Sequence, residues 1–98
     1  MELTRREIDA RSGATVLEFG AEWCPICQAA RPLIDRILAR YPHVQHRRVE
    51  DGKGKPLGRS FKVKLWPTLI FLRDGQEVAR VVRPKQASEL DAAFQQLG

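Results

Sequence analysis

The chain has 98 residues, 43% of them hydrophobic and 30% charged, with a formal net charge of +5 and two cysteines. That length fits one compact domain, residues 1–98, large enough to bury a core without metal or disulfide staples. The longest apolar runs, VLEF and TLIFL, fall far short of the roughly 20 residues that cross a bilayer, and the charge is scattered over TRREIDAR, HRR, KGK and RPK with acidic residues between several clusters. Neither a membrane nor a nucleic-acid partner is expected from such a pattern, because the aromatic-interleaved basic array of single-strand binders is missing.

Taken in order, the opening MELTRREIDARSGATV mixes Glu2, Glu7 and Asp9 with basic residues and lacks an apolar signal core. It is read as cytoplasmic, with a helical stretch around residues 4–11. Residues 15–21, TVLEFGA, are β-branched and aromatic, and apolar on both faces apart from Glu18, which predicts a central strand. From Pro25 to Arg40, Ile26, Ala30, Leu33, Ile34, Ile37 and Leu38 recur at three- and four-residue steps, which predicts an amphipathic helix. Pro32 inside it is expected to cause a kink, and YPH at 41–43 to end it.

VQHRRV at 44–49 reads as a weaker, charged edge strand. DGKGKPLG at 51–58 reads as a loop leading into a short helix around Leu57 to Phe61. TLIFL at 68–72 and EVARVV at 77–82 flank RDGQ, and Asp74-Gly75 signals a tight hairpin. From Lys85 to Leu97, Ala87, Leu90, Ala93, Phe94 and Leu97 share one helical face.

Cys24 and Cys27 carry the chemistry. In a reducing compartment a C-x-x-C pair points to redox or metal chemistry rather than a permanent crosslink. Cys24 stands where the central strand gives way to a helix, among unpaired backbone N–H groups and the positive end of the helix dipole, and both favour a thiolate. Pro25 suits the first helical position, and Cys27 faces the same side of that turn. A thiol pKa falling from about 8.5 to about 7 raises the thiolate fraction at neutral pH from roughly 3% to 50%. It also makes Cys24 the better leaving group when Cys27 attacks.

EFGAEWCPIC resembles the active-site strand and turn of thioredoxins. Trp23 holds the place before the first cysteine, and Pro32, five residues past Cys27, matches the kink proline. Trp66-Pro67-Thr68 resembles the cis-proline segment, and FLRDGQEV the hairpin after it. From about residue 14 onward, the resemblance implies a thioredoxin fold: an α/β architecture with a mixed four-stranded sheet flanked by helices. It implies a thiol-disulfide oxidoreductase that reduces protein disulfides, with Cys24 the exposed attacking thiolate and Cys27 the resolving thiol. Glu18 falls where the family keeps a buried carboxylate that moves the resolving proton. Burial is expected to raise its pKa; pairing with Arg48 is the alternative. Trp23, Pro25, Ile26, Trp66, Pro67 and Arg83 are the implied substrate-facing residues, with the Trp66 backbone pairing to an extended substrate. No cofactor is implied beyond the Cys24–Cys27 disulfide. The implied partners are disulfide-containing proteins and a thioredoxin-reductase-type electron donor, with the chain a monomer.

The sequence departs from the family at several points. Pro25-Ile26 replaces Gly-Pro between the cysteines, Gly20 stands where an aromatic is common, and Arg83 replaces a glycine. The family's first strand is short or missing, although MEL could supply a fragment of it. Three rival readings are a glutathione-dependent glutaredoxin-like reductase, prompted by Pro25, a non-catalytic interaction module, and a zinc site. For zinc, Cys24, Cys27, His43 and His46 read as C-x2-C-x15-H-x2-H. Against it, a helix over 25–40 is about 24 Å long and puts the histidines at its far end from the thiols.

Overall fold

The computed structural model describes residues 3–98. The N-terminal helix, α1 (Arg5–Asp9), begins at a capping box in which Thr4 and Glu7 satisfy each other's backbone N–H groups, and it buries Ile8. Arg5 fastens α1 to the middle of the chain: its guanidinium lies 3.8 Å from the Phe61 ring centre and donates to the Ser60 carbonyl at 2.7 Å. Of the expected strand fragment at MEL, Met1 and Glu2 lie outside the described residues, and Leu3 belongs to no strand.

After α1 come β1 (Ala14–Gly20), α2 (Pro25–Leu38), β2 (Gln45–Glu50), α3 (Pro56–Ser60), β3 (Thr68–Arg73), β4 (Gln76–Val82) and α4 (Ala87–Leu97). The sheet order is β2-β1-β3-β4, with β1 parallel to β2 and the other neighbours antiparallel. This is the mixed four-stranded α/β sheet that the sequence suggests, with β1 central and charged β2 at an edge. Within α2 the helical bonding continues past Pro32. Asp74 and Gly75, with φ of 51° and 80°, make the tight β3–β4 turn, where positive φ favours Asx and glycine residues. Asp74 also accepts from the Gly13 N–H at 2.7 Å, tying the hairpin to the start of β1.

Period-two alternation gives the sheet two apolar faces. Val16, Leu69 and Phe71 pack under α2 and α4 with Ile34, Ile37 and Phe94. Leu17, Phe19, Ile70 and Leu72 pack under α1 and α3 with Ile8 and Phe61. Glu18 and Gly20 follow Val16 on the α2 side of β1, and this places both beneath the first turns of α2, where the cysteines stand.

Candidate active site

Cys24 is the N-cap of α2 and Pro25 its first residue, the position where a missing N–H breaks no helical bond. The Cys24 Sγ accepts from the Cys27 backbone N–H at 3.2 Å. Both thiols are free. Cys24 is 5% exposed and Cys27 2%, both packed with Ala21 and Trp66. The expectation of an exposed Cys24 is thus corrected. The side chains beside it stand out instead, with Trp23 72% and Ile26 42% exposed.

The two thiols differ in acidity. Burial alone would raise Cys24, but hydrogen bonds from the Cys27 thiol and from the N–H groups of Cys27 and Ile26, with the charge of Arg83, hold it below the usual thiol range. Cys27 is pushed up to about 11, first by burial and then by its hydrogen bond and proximity to Cys24. Gly20 explains one departure from the family pattern. A Cβ built there would lie 2.8 Å from the Cys27 Sγ, closer than a carbon and a sulfur can sit, so no side chain fits without moving the thiol. The space left forms a cavity of about 300 Å³ lined by Glu18, Gly20, Cys27, Arg31 and Arg48 among others.

Glu18 corrects a second expectation. It is 4% exposed, and burial is the largest influence and raises its pKa. The hydrogen bond from His46, followed by the charges of His46, Arg48 and Arg31, outweighs burial and leaves the carboxyl below its ordinary value. Its Oε1 lies 2.9 Å from His46 Nε2 and 3.6 Å from Arg48 Nε, and its Oε2 is 4.0 Å from Arg31 Nη2. Arg48 is the partner that the sequence suggests. His46 stands out there only as a zinc ligand, yet it lies two residues from Arg48 on β2 and so shares the face that meets Glu18. His43 is exposed beyond the far end of α2, and the described residues hold no cluster of three or more His, Cys, Asp or Glu suited to a metal.

The opposite wall comes from the segment before β3. The Trp66–Pro67 peptide is cis, and Pro67 is buried. The Trp66 ring is half-buried. It donates to Asp51 Oδ2 at 2.9 Å and meets Trp23 edge-on, centroids 5.5 Å apart. Asp51 reaches Trp66 across Gly58, where any Cβ would collide with its carboxylate. Asp51 does not stand out in the sequence as part of the site, because its contact with Trp66 forms only in the folded chain. Arg83 donates from Nε to the Trp66 carbonyl at 2.9 Å, which brings it to the same rim.

The thioredoxin family model matches residues 4–96. The chain belongs to the thioredoxin family. It is 37% identical to a thioredoxin of Chlamydia pneumoniae over 71 residues, 72% of this chain and 70% of that one. Its structure superposes with a TM-score of 0.87 on reduced thioredoxin 2 from Pseudomonas aeruginosa PAO1, at 58% identity over 98% of this chain and 90% of the other. Oxidised thioredoxin O2 from Arabidopsis thaliana follows at 29% identity and a TM-score of 0.72, covering 91% and 80%. As a thioredoxin-family member, the chain is a thiol-disulfide oxidoreductase acting on protein disulfides.

Proposed function

We propose that Cys24 opens the substrate disulfide and Cys27 resolves the product. The supporting observation is the placing of the two sulfurs: Cys24 caps the helix and accepts the Cys27 N–H, while Cys27 lies deeper against Gly20. The Cys24 thiolate attacks one substrate sulfur, a Cys24–substrate bond forms, the substrate S–S bond breaks, and the other substrate sulfur leaves as a thiolate that takes a proton. Cys24 then carries no charge, which removes one cause of the high Cys27 pKa. Cys27 loses its proton and attacks the Cys24 Sγ, releasing the second substrate thiol and leaving a Cys24–Cys27 disulfide. Two electrons have moved to the substrate, and a dithiol donor of the thioredoxin-reductase type restores the pair.

Glu18, its pKa held below the ordinary value and so a weak base, relays the Cys27 proton toward solvent without holding it. Its ionised carboxylate lines the cavity that Cys27 also lines, and His46, 24% exposed at its side chain, links it to solvent. Trp23, Ile26, Trp66 and Pro67 seat an extended substrate segment against the sulfurs, with the Trp66 carbonyl as an acceptor for its backbone. A monomer in the reducing cytoplasm is the setting this reading fits. The test is dithiol-driven reduction of a protein disulfide by wild type, Cys24→Ser and Cys27→Ser. Cys24→Ser should be inactive, and Cys27→Ser should accumulate mixed disulfides detectable by intact mass. Wild-type activity in Cys24→Ser would sink the proposal.

A further inference from the structure

Arg83 adopts a φ of 51°, a left-handed conformation uncommon for a residue with a long side chain and a reason to ask what holds it there. Two bonds do. Its backbone N–H donates to the Pro67 carbonyl at 2.9 Å, and its Nε donates to the Trp66 carbonyl at 2.9 Å. The residue is therefore fastened at both ends to two successive carbonyls of the substrate-facing wall. With Nε committed, the Nη1–Nη2 edge of the guanidinium has no hydrogen-bond or salt-bridge partner among the described residues. That edge is a planar pair of donors matched to a carboxylate. Its charge is felt at Cys24, whose thiol it helps to lower, so it lies close to where substrate sulfur arrives. Trp23, Ile26, Leu65 and Val82 are exposed apolar side chains, and the charged neighbours Glu22 and Lys64 are exposed as well.

We propose that Arg83 is a specificity-determining residue that binds a carboxylate of the substrate, so that this thioredoxin prefers protein disulfides flanked by Asp or Glu. The side chain is held before substrate arrives, so little of its rotamer freedom is left to lose on binding. The proposal rests on the reading that substrate enters at Cys24 beside Trp66, and it adds the chemistry that the entering segment carries.

The test uses the full chain, a neutral dithiol as reductant, and two matched peptide disulfides that differ only in Glu or Gln beside the cysteine. The quantity read is the ratio of their kcat/KM values, compared between wild type and variants so that the intrinsic effect of Glu on the peptide thiol cancels. In wild type the Glu peptide should gain about fivefold over its ratio in Arg83→Gln, the size of a partly exposed ion pair. The gain should appear in KM and shrink as salt is raised. Arg83→Lys should keep part of it, having charge without the fork. Arg83→Gly, which suits a positive φ and so leaves the fold secure, should lose it. An unchanged ratio in Arg83→Gln, or an equal loss on both peptides, would overturn the proposal, the second by showing that Arg83 acts only through Cys24. Activity surviving in Cys24→Ser would instead refute the entry reading and is scored separately.

Discussion

Glu18 shows how opposing effects at one residue decide the state of a site. Burial favours the neutral acid, while His46, Arg48 and Arg31 favour the carboxylate and together prevail. The sequence reveals that a carboxyl sits in an apolar strand. Its ionisation is hidden, because His46 and Arg48 of β2 and Arg31 of α2 meet it only in the folded chain. The linkage has a definite sign. A carboxyl whose folded pKa lies below its unfolded value contributes stability that is present above the unfolded value, near 4.5, and lost as pH falls through the folded one. Urea midpoints measured from pH 7 down to pH 3 should therefore fall more steeply below about 4.5 for wild type than for Glu18→Gln. His46→Gln, which removes the 2.9 Å partner, moves the folded pKa up toward the unfolded one and should make that fall smaller. Parallel pH profiles for wild type and Glu18→Gln would contradict this account.

Among the elements, those with a strong period are the ones the sequence discloses. α2 and α4 follow from apolar residues at helical spacing, the β3–β4 hairpin from Asp74-Gly75, and each lies within two residues of its expected bounds. What the pattern cannot state is how the helices reach one another. That is settled by a side-chain stack: Tyr41, just past α2, lies flat on Phe94 of α4 with centroids 3.9 Å apart, and Phe94 meets Phe71 of β3 edge-on at 4.9 Å. The Tyr41 hydroxyl donates to Asp91 at 3.2 Å, fixing the far end of α2 to α4 and, through it, to the sheet. The cysteines ride on the near end. Phe94→Ala should cost about 3–5 kcal/mol by opening a cavity where three elements meet, read as a lower urea midpoint at unchanged slope. A loss below about 1 kcal/mol would mean that α4 is not the clamp.

For the molecule as a whole, the order β2-β1-β3-β4 leaves β2 at an open edge. The sequence anticipates this, since a charged strand at a sheet edge has to tolerate solvent, but the way α1 shields the neighbouring face is not legible. That depends on Arg5 reaching Phe61 and Ser60 across more than fifty residues of chain. The edge borders a cleft lined by Leu3, Arg5, Arg47, Val49, Lys55 and Leu57 among others. Its basic side chains Arg5, Arg47, Arg48 and Lys55 outnumber the acidic Glu50, so two copies brought edge to edge would set one excess of positive charge against another. Charge of one sign is a recognised guard on an open strand, because backbone pairing between copies would otherwise extend the sheet. Arg47 is exposed and points away from the Glu18 face, so replacing it leaves the active site intact. Arg47→Val removes the guard and adds a β-branched residue next to Val49 and Leu57. It should raise the fraction of dimer or larger species in light scattering at a given concentration while disulfide reduction per folded chain is unchanged. If Arg47→Val stays as dispersed as wild type across that range, α1 and the remaining charges protect the edge without it.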